Sequence, residues 1–149
     1  MGGVGSVVNL KARATLLDTN VLSELLRPQG EVRVRAFVEG LENPLVSAIV
    51  FHELAYGVEM MAAGSKRARL SAGIDTFRKH YRSRTVFVDV DIAEIAGRLR
   101  AGEARSGFKL DAPDALIAAT AVSISARLAT RNLRHFERLA IDLVDPWKQ

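Results

Sequence analysis

The sequence predicts one α/β domain, in which helices cover both faces of a central parallel sheet of four to five strands. Three observations support this fold class. The length of 149 residues is that of one ordinary domain. Short apolar runs alternate with amphipathic stretches along the chain, as strands alternate with helices in a parallel sheet. Hydrophobic residues make up 48% of the chain and charged residues 26%, which are the proportions of a folded globular protein.

In the first half of the chain, apolar runs and helix-breaking residues delimit the predicted elements. An apolar run that ends at Asp18 predicts a buried strand, and Pro28 stops the apolar helical face that follows it. Asn43-Pro44 precedes a short strand, and Ser47 can cap the long helix after it. Gly64 ends that helix. The elements predicted here are a strand at 14–17, helices at 21–26 and 31–39, a strand at 45–46, and helices at 47–61 and 65–81.

In the second half, residue types indicate the elements. A β-branched and aromatic run predicts a strand, and Asp89 or Asp91 can cap the helix after it, which Gly107 brings to an end. The stretch after Asp111 is rich in alanine, leucine and isoleucine, which predicts a central helix that is almost fully buried. The elements predicted here are a strand at 86–88, helices at 89–104 and 112–126, and strands at 127–130 and 141–144.

The first residues differ from the rest of the chain. Lys11 and Arg13 follow the few apolar residues there, which is the wrong order for a secretory signal. We therefore expect a flexible leader over 1–13 and a single domain over 14–149. The longest apolar stretches are shorter than the roughly 18 to 20 residues that cross a bilayer. The sequence thus predicts no membrane segment and a cytoplasmic location.

The amino-acid composition limits the chemistry that the chain can perform. There is no cysteine, which excludes a disulfide framework, a thiolate zinc site, an iron–sulfur cluster and a cysteine nucleophile. Only three histidines are present, so a metal ion would be held mainly by oxygen ligands.

Positive charge is concentrated in the middle of the chain. The net charge is only +4, but seven basic residues and a single acid, Asp75, lie between positions 66 and 84. This segment is either a solvated helix face or a contact surface for a phosphate backbone. The seven residues are Lys66, Arg67, Arg69, Arg78, Lys79, Arg82 and Arg84.

Asp18 stands at a position where α/β sheets bind ligands, because it directly follows the first predicted strand. An aspartate between a strand and a helix is also a preferred N-cap. Thr19 or Asn20 can cap the helix equally well, however, which would leave Asp18 available for chemistry.

Two further acids lie on apolar helices. Glu53 is flanked by apolar residues in the second turn after Ser47, although a glutamate extending to the surface is the simpler interpretation. Asp114 begins the alanine-rich helix together with Asp111, and both suit capping. One acid is enough for a cap, so the second is available for a ligand.

Three carboxylates without a histidine cluster favour Mg²⁺ or Mn²⁺ over zinc. Such ions allow an anionic phosphodiester to approach the acids, and they activate water for its hydrolysis. Asp18, Glu53 and Asp114 therefore form a candidate metal-dependent hydrolytic site, although their spacing alone is a weak indication.

Four segments strengthen this interpretation because they resemble, in order and spacing, the signatures of PIN-domain proteins. They are LLDTNVL at 16–22, FHELAYG at 51–57, PDALIAATA at 113–121 and LATRNLRHF at 128–136. The resemblance is greatest to the VapC and FitB group of toxin–antitoxin ribonucleases, and it covers residues 14 to 146. It implies a three-layer α/β/α domain whose relatives are metal-dependent ribonucleases, often inhibited by a cognate antitoxin.

The resemblance also implies roles for individual residues. Asp18, Glu53 and Asp114 match the three acidic metal-site positions, and Thr130 matches a polar residue that forms hydrogen bonds near the site, with Asn20 as a further polar neighbour. Relatives commonly carry a fourth acid two residues after the threonine or just before the phenylalanine. Here those positions are Asn132 and His135. Asn132 can still coordinate a metal but brings no charge, which places a second metal ion in question.

The leading hypothesis is therefore a Mg²⁺- or Mn²⁺-dependent endoribonuclease toxin, in which metal-activated water attacks the RNA phosphate and the basic segment, with Arg131 and Arg134, steers the RNA. The alternative is a catalytically weak or inactive module that binds RNA or a protein partner. A third possibility is a phospho-acceptor signalling domain that uses Asp18. It is disfavoured because the sequence has no clear match to the acidic pair and the late lysine that such a domain needs. The expected partners are a VapB-like antitoxin and a second copy of the chain. The early helices carry the apolar residues for such contacts unless the core uses them: Val21, Leu22, Leu25, Leu26, Val32, Val34, Phe37 and Val38.

Overall fold

Strands and helices alternate through residues 13–149, the part of the chain that the computed structural model describes. The strands are β1 (Thr15–Leu17), β2 (Pro44–Ser47), β3 (Thr85–Val86), β4 (Arg127–Ala129) and β5 (Leu143–Val144). The α-helices are α1 (Thr19–Leu26), α2 (Val32–Glu39), α3 (Ala48–Glu59), α4 (Ser65–His80), α5 (Val90–Arg105), α6 (Ala112–Ser123) and α7 (Leu133–Phe136). Short 3-10 helices lie at Arg82–Arg84 and Pro146–Lys148.

The five strands form one sheet in the order β3-β2-β1-β4-β5, and every neighbouring pair is parallel. In the central strand, Leu16 lies opposite Leu45 on one side and Leu128 on the other. Leu16 and Leu17 are completely buried, as expected for a strand covered on both faces. The predicted α/β fold, with a parallel sheet of four to five strands between two layers of helices, is confirmed.

The strand order reverses beside β1. The chain leaves β1 for β2 and β3 on one side, and it then returns to β4 and β5 on the other side. Ligands in parallel sheets bind beyond the carboxyl ends of the strands at such a reversal. Asp18 follows β1 and Thr130 follows β4, so these two residues stand at the position where the fold favours a binding site.

Helix α6 is the central helix that the sequence predicts, but it ends earlier than predicted. Its alanine and isoleucine face is buried, yet the helix stops at Ser123 and does not continue to Ala126. Ser125 adopts a left-handed φ of 53°, and the N–H of Ala126 donates to the carbonyl of Ala121 at 3.0 Å. This pattern of hydrogen bonds closes a helix end and turns the chain into β4.

The strand predicted at 86–88 is also shifted. The structure places β3 at Thr85–Val86 and leaves Phe87 with 76% of its surface exposed. β3 is an edge strand, and its partner β2 ends at Ser47, which lies opposite Val86. Beyond that point no strand remains to pair with, so the β-branched run continues without sheet hydrogen bonds. The last predicted strand, 141–144, is likewise reduced to Leu143–Val144.

The early helices use most of their apolar residues in the core. Val21, Leu22 and Val34 are completely buried, and only Val32 of the eight residues named above is strongly exposed, at 76%. A smaller hydrophobic cluster joins α5 to α6 through Ile92 and Ala119. Within residues 13–149, no helix is long and apolar enough to cross a membrane. The predicted leader lies outside the described residues except for Arg13, whose guanidinium pairs with Asp142 at 2.8 Å.

Candidate functional site

Three carboxylates from three different elements meet in one pocket at the carboxyl edge of the sheet. Asp18 follows β1, Glu53 lies in α3, and Asp114 lies in the first turn of α6. The pocket has a volume of about 410 Å³, and we call it the acidic pocket. Its lining residues are Asp18, Thr19, Asn20, Ser23, Glu24, Glu53, Asp114, Arg131, Asn132 and Trp147. The structure therefore brings together the three acids that the sequence singled out.

Asp18 both caps α1 and lines the acidic pocket. Its Oδ1 accepts a hydrogen bond from the backbone N–H of Thr19 at 2.8 Å. Its Oδ2 accepts from the hydroxyl of Thr130 at 2.7 Å and from Nδ2 of Asn20 at 3.2 Å. The expectation that Thr19 or Asn20 would cap the helix and leave Asp18 free is therefore wrong. The extended backbone of Asp18 turns its carboxylate back over the helix N-terminus.

Thr130 connects the end of β4 to the start of α1. Its side chain is completely buried, and its hydroxyl also accepts from the backbone N–H of Asn132 at 3.0 Å and from Nδ2 of Asn20 at 3.3 Å. The amide oxygen of Asn20 in turn accepts from the backbone N–H of Arg131 at 3.3 Å. These bonds hold Asp18 in one orientation across the strand reversal.

Glu53 is fixed by the helix that carries it and by one hydrogen bond. α3 begins at Ser47, whose hydroxyl accepts from the N–H of Ile49 at 3.3 Å. The helix buries Val50 and Leu54, which leaves the intervening Glu53 half-buried at the pocket wall. Oε1 of Glu53 accepts from the hydroxyl of Thr19 at 2.6 Å. Among the described residues no donor reaches Oε2, which remains available within the pocket.

Asp114 contacts His135, the residue at one of the two positions where relatives carry a fourth acid. Nδ1 of His135 lies 3.0 Å from Oδ2 of Asp114, with side-chain exposures of 54% and 22% respectively. Asn132 also lines the pocket, but none of its hydrogen bonds reaches one of the three acids. Asp111 occupies the N-cap position of α6 without a capping hydrogen bond from its side chain. The structure thus places the imidazole ring of His135 beside Asp114, at a position where the resemblance led us to expect a fourth acid.

The three carboxylates disfavour one another's ionisation. Burial raises the pKa of Asp18 above its ordinary value of 3.8, more than the hydrogen bonds from Thr130 and Thr19 lower it, and the charge of Asp114 raises it further. Burial also raises the pKa of Glu53, and the charge of Asp18 adds to this effect. The pKa of Asp114 is raised by burial and by Glu53, although His135 opposes the shift. The pocket therefore holds negative charge at a cost, which a bound cation would offset.

The donor chemistry of the acidic pocket suits a hard divalent cation. The pocket offers carboxylate and amide oxygens, with no sulfur ligand. Within residues 13–149, however, no three acidic or histidine side chains lie close enough together to coordinate one metal ion. The residues fit the ion in chemical type and in charge, but the carboxylates are not assembled around one point.

The structure separates the predicted basic residues into two groups. Lys66 and Arg69 line a groove of about 530 Å³ that shares Thr19, Ser23 and Glu53 with the acidic pocket. Most of the others bind elsewhere or line neither cavity: Arg67 pairs with Glu59, Arg78 pairs with Asp75, Arg84 donates to the carbonyl of Pro44, and Lys79 and Arg82 are exposed. The basic segment as a whole does not face the acids.

The two later arginines lie beside the site. Arg131 lines the acidic pocket and, together with Arg134, also lines a neighbouring pocket of about 410 Å³. We call this second cavity the basic pocket. Its lining residues are Arg131, Asn132, Leu133, Arg134, His135, Glu137, Asp145 and Lys148.

The sequence patterns did not indicate three residues of the acidic pocket, Ser23, Glu24 and Trp147. Oε1 of Glu24 accepts from the N–H of Glu31 at 2.9 Å, and Oε2 pairs with Arg27 at 3.2 Å, so this acid stabilises the turn after α1. Trp147 is the only tryptophan of the chain. It follows Asp145, whose carboxylate accepts from the N–H of Trp147 at 2.9 Å. The signal in the sequence for Trp147 was a single tryptophan that follows an aspartate suited to capping, Asp145, and a proline, Pro146.

Comparison with known proteins identifies the family of the chain. The PIN domain family model matches residues 15–142. Toxin FitB of Neisseria gonorrhoeae is 35% identical over 135 residues, which are 89% of this chain and 97% of the relative. VapC ribonuclease Y4jK of Sinorhizobium fredii is 32% identical over 136 residues, which are 89% of this chain and 97% of the relative.

Solved structures give the same result. The crystal structure of FitAcB from Neisseria gonorrhoeae matches with a TM-score of 0.81 and 34% identity, over 91% of this chain and 99% of that one. The crystal structure of DNA-bound VapBC from Salmonella typhimurium matches with a TM-score of 0.76 and 29% identity, over 90% and 98%. Because the family model spans most of the chain and relatives above 30% identity match almost from end to end, the chain belongs to the PIN domain family.

Proposed function

We propose that the chain is a divalent-metal-dependent endoribonuclease and the toxin of a toxin–antitoxin pair. The observation that carries this proposal is the meeting of Asp18, Glu53 and Asp114 in one pocket at the strand reversal. Relatives of similar length are named ribonucleases, among them VapC19 of Mycobacterium tuberculosis at 34% identity. PIN-domain ribonucleases in general depend on divalent metal ions.

In this proposal Asp18, Glu53 and Asp114 hold Mg²⁺ or Mn²⁺, and the amide oxygen of Asn132 is a further candidate ligand. When bound, the ion supplies positive charge for the phosphate and lowers the pKa of a water molecule. Thr130 and Asn20 keep the Asp18 carboxylate in place. Because Asn132 and His135 bring no negative charge, the proposal requires only one ion.

The basic residues beside the acids bind the RNA backbone. Arg131 stands at the acidic pocket itself, and Arg134 follows in the basic pocket. Lys66 and Arg69 extend positive charge along the groove on the other side, which shares Glu53 with the acidic pocket. Such cations attract phosphates and make binding depend on salt concentration. The remaining residues of the basic segment contribute at most to long-range attraction.

The partner is an antitoxin of the VapB type, and the active form is a homodimer. Several solved structures to which this chain is similar are complexes: FitAB bound to a DNA fragment, and VapBC2 from Rickettsia felis bound to a DNA fragment from its promoter. For this chain we carry over only the class of partner. Measuring the molar mass of the chain in solution, by itself and mixed with a small protein encoded next to it in the same operon, tests both the homodimer and the antitoxin complex.

A second candidate function is a PIN-domain module that binds RNA or a protein but cleaves poorly. The replacement of the fourth acid favours it, because His135 offers Asp114 a proton donor where relatives commonly offer a metal another carboxylate. The absence of a finished metal site among residues 13–149 is consistent with this candidate as well.

RNA cleavage separates the two candidates. We would incubate structured RNAs with the protein in Mg²⁺, in Mn²⁺ and in chelator, alongside Asp114→Asn as the control for contaminating nucleases. The nuclease proposal expects cleavage that needs metal and that Asp114→Asn abolishes while the variant stays folded. Equal cleavage by the variant would refute the assignment of Asp114. No cleavage under any condition would favour the binding module.

A further inference from the structure

An aromatic ring and a guanidinium stack on each other beside the acidic pocket. The guanidinium carbon of Arg131 lies 5.2 Å from the centre of the Trp147 ring, and both side chains line the pocket that holds the three acids. Nothing in the proposed chemistry uses Trp147. Trp147 therefore lines the acidic pocket in addition to packing against the core, and this second position is open to another role.

Both members of this pair are held in place by the backbone around them. Trp147 lies in the 3-10 helix Pro146–Lys148, which Asp145 caps at 2.9 Å, and its ring packs against the main hydrophobic core. The backbone N–H of Arg131 donates to Asn20, the same side chain that donates to Asp18. The backbone of Arg131 is thus tied to the residues that orient the candidate metal site, and its exposed side chain extends over the Trp147 ring.

The basic pocket beside the pair is lined by three cations and by two carboxylates, Glu137 and Asp145, so positive charge is in excess there by one. Arg131 is shared by the acidic and basic pockets, and Arg134 and Lys148 line the latter. Within residues 13–149, no carboxylate forms an ion pair with these three cations. The basic pocket has a volume of about 410 Å³, which lies in the range of cavities that hold small ligands.

We propose that the Arg131–Trp147 pair and the basic pocket form a binding subsite for one nucleotide of single-stranded RNA, next to the phosphate that lies at the acids. In this subsite a base stacks on the pair, and a phosphate of the same strand contacts Arg134 and Lys148. Aromatic rings and guanidinium planes stack with bases of any kind, and cations fix the backbone. The inference rests on the proposed function, because the position of the RNA strand is set by the phosphate that lies at the acidic pocket.

An acidic peptide is a less suitable occupant. It would satisfy the cations but would make no use of an indole already flanked by a guanidinium, whereas a nucleotide uses both groups. The subsite also adjoins the place where a phosphodiester must lie if the acids act on RNA. Stacking of this kind tolerates any base, so the subsite would favour unpaired RNA without selecting a sequence.

Binding of a short RNA to an inactive protein tests the subsite. All variants carry Asp114→Asn and are measured in chelator, which prevents cleavage and removes one repelling charge. Anisotropy of a labelled six-nucleotide RNA gives the affinity, and the fluorescence of Trp147, the only tryptophan, reports contact directly. The variants are Trp147→Leu and Trp147→Phe. The matched control is Phe108→Leu, because Phe108 also stacks with an arginine, Arg138 at 3.5 Å, but lines neither of the two pockets.

We expect RNA to quench Trp147 and Trp147→Leu to weaken binding about 5- to 150-fold, the range measured for loss of one stacked base. Trp147→Phe should stay within a few-fold of the parent, and Phe108→Leu should not change the affinity. An RNA with abasic sites should bind the parent about as weakly as intact RNA binds Trp147→Leu. This abasic comparison needs no substitution at Trp147, so it decides the question even if Trp147→Leu unfolds.

Equal affinity of Trp147→Leu and the parent, or of intact and abasic RNA, would overturn the subsite. An acidic peptide that binds the parent more tightly than RNA would overturn it in favour of a protein partner. Failure of the parent to bind any RNA in chelator would overturn the subsite alone, because the proposed function requires the divalent ion that the chelator removes. Metal-dependent cleavage by the natural chain, combined with no effect of Trp147→Leu, would refute the subsite alone.

Discussion

The hydroxyl of Thr130 should be a main support of the Asp18 carboxylate. Thr130→Val removes the hydroxyl and keeps the shape of the side chain, so the 2.7 Å hydrogen bond to Asp18 is lost at a completely buried position. A hydrogen bond to a charged group contributes about 1.5–3 kcal/mol. The N–H of Asn132 and Nδ2 of Asn20 also lose an acceptor. Asn132 is exposed, so water can replace its bond, and Nδ2 of Asn20 keeps its bond to Asp18. We expect the free energy of unfolding to fall by about 2 kcal/mol.

Urea unfolding at pH 7 in chelator measures this change. Thr130→Ser is the matched control, because it keeps the hydroxyl and loses only a methyl group, at a cost of about 1 kcal/mol. The same two substitutions in an Asp18→Asn background separate the charged hydrogen bond from packing. In the Asp18→Asn background the acceptor is a neutral amide, so the loss of free energy of unfolding caused by Thr130→Val should be about 1 kcal/mol smaller than in the parent. A loss below about 0.5 kcal/mol, or an equal loss in both backgrounds, would refute the reasoning.

Further predictions concern the acids and two glycines. The raised pKa of Asp114 means that the folded state holds this proton more tightly than the unfolded chain does. The stability that the proton contributes is complete below the ordinary pKa of 3.8, and it is lost as the pH rises through the pKa of the folded state. Urea unfolding of the metal-free protein from pH 4 to 7 should therefore show Asp114→Asn gaining on the parent as the pH rises, and a constant difference would contradict this. Gly30→Ala should destabilise the protein by about 2 kcal/mol, because its Cβ would lie 2.3 Å from the carbonyl oxygen of Glu24. Gly97→Ala, in α5 with nothing within 4 Å, should stabilise it by about 0.5–1 kcal/mol in thermal unfolding, and equal signs for the two would refute the comparison.

The sequence predicts the positions of Asp18 and Asp114 well because each of these two acids follows a simple local rule. Asp18 comes directly after an apolar run, and the polar residue after a buried strand lies at the carboxyl edge of a parallel sheet. Asp114 follows a capping position of a helix rich in alanine. That Glu53 faces the same pocket depends on the crossing of α3 over the sheet, which no local pattern contains.

The errors have two origins: contacts between distant residues, and local conformations that the residue types do not determine. The early end of β3 depends on where β2 stops, and the early end of α6 depends on a left-handed Ser125, a residue type that seldom marks such a turn. The sequence leaves the N-cap of α1 open among Asp18, Thr19 and Asn20, because all three side chains suit a cap, and the structure places Asp18 there. Trp147 reaches the acidic pocket from the end of the chain, more than 100 residues from Asp18 in sequence.

Calorimetric titration with Mn²⁺ tests the central claim most directly, because it measures cation binding by the three acids without requiring the right RNA. The account predicts binding of one ion per chain, weakened at least about tenfold by Asp114→Asn and by Glu53→Gln. The matched control is Glu59→Gln. Glu59 lies in α3 like Glu53, but its side chain is 75% exposed and lies outside the acidic pocket, so this variant should bind Mn²⁺ as the parent does. No binding at millimolar Mn²⁺, or equal binding by Asp114→Asn and the parent, would contradict the account.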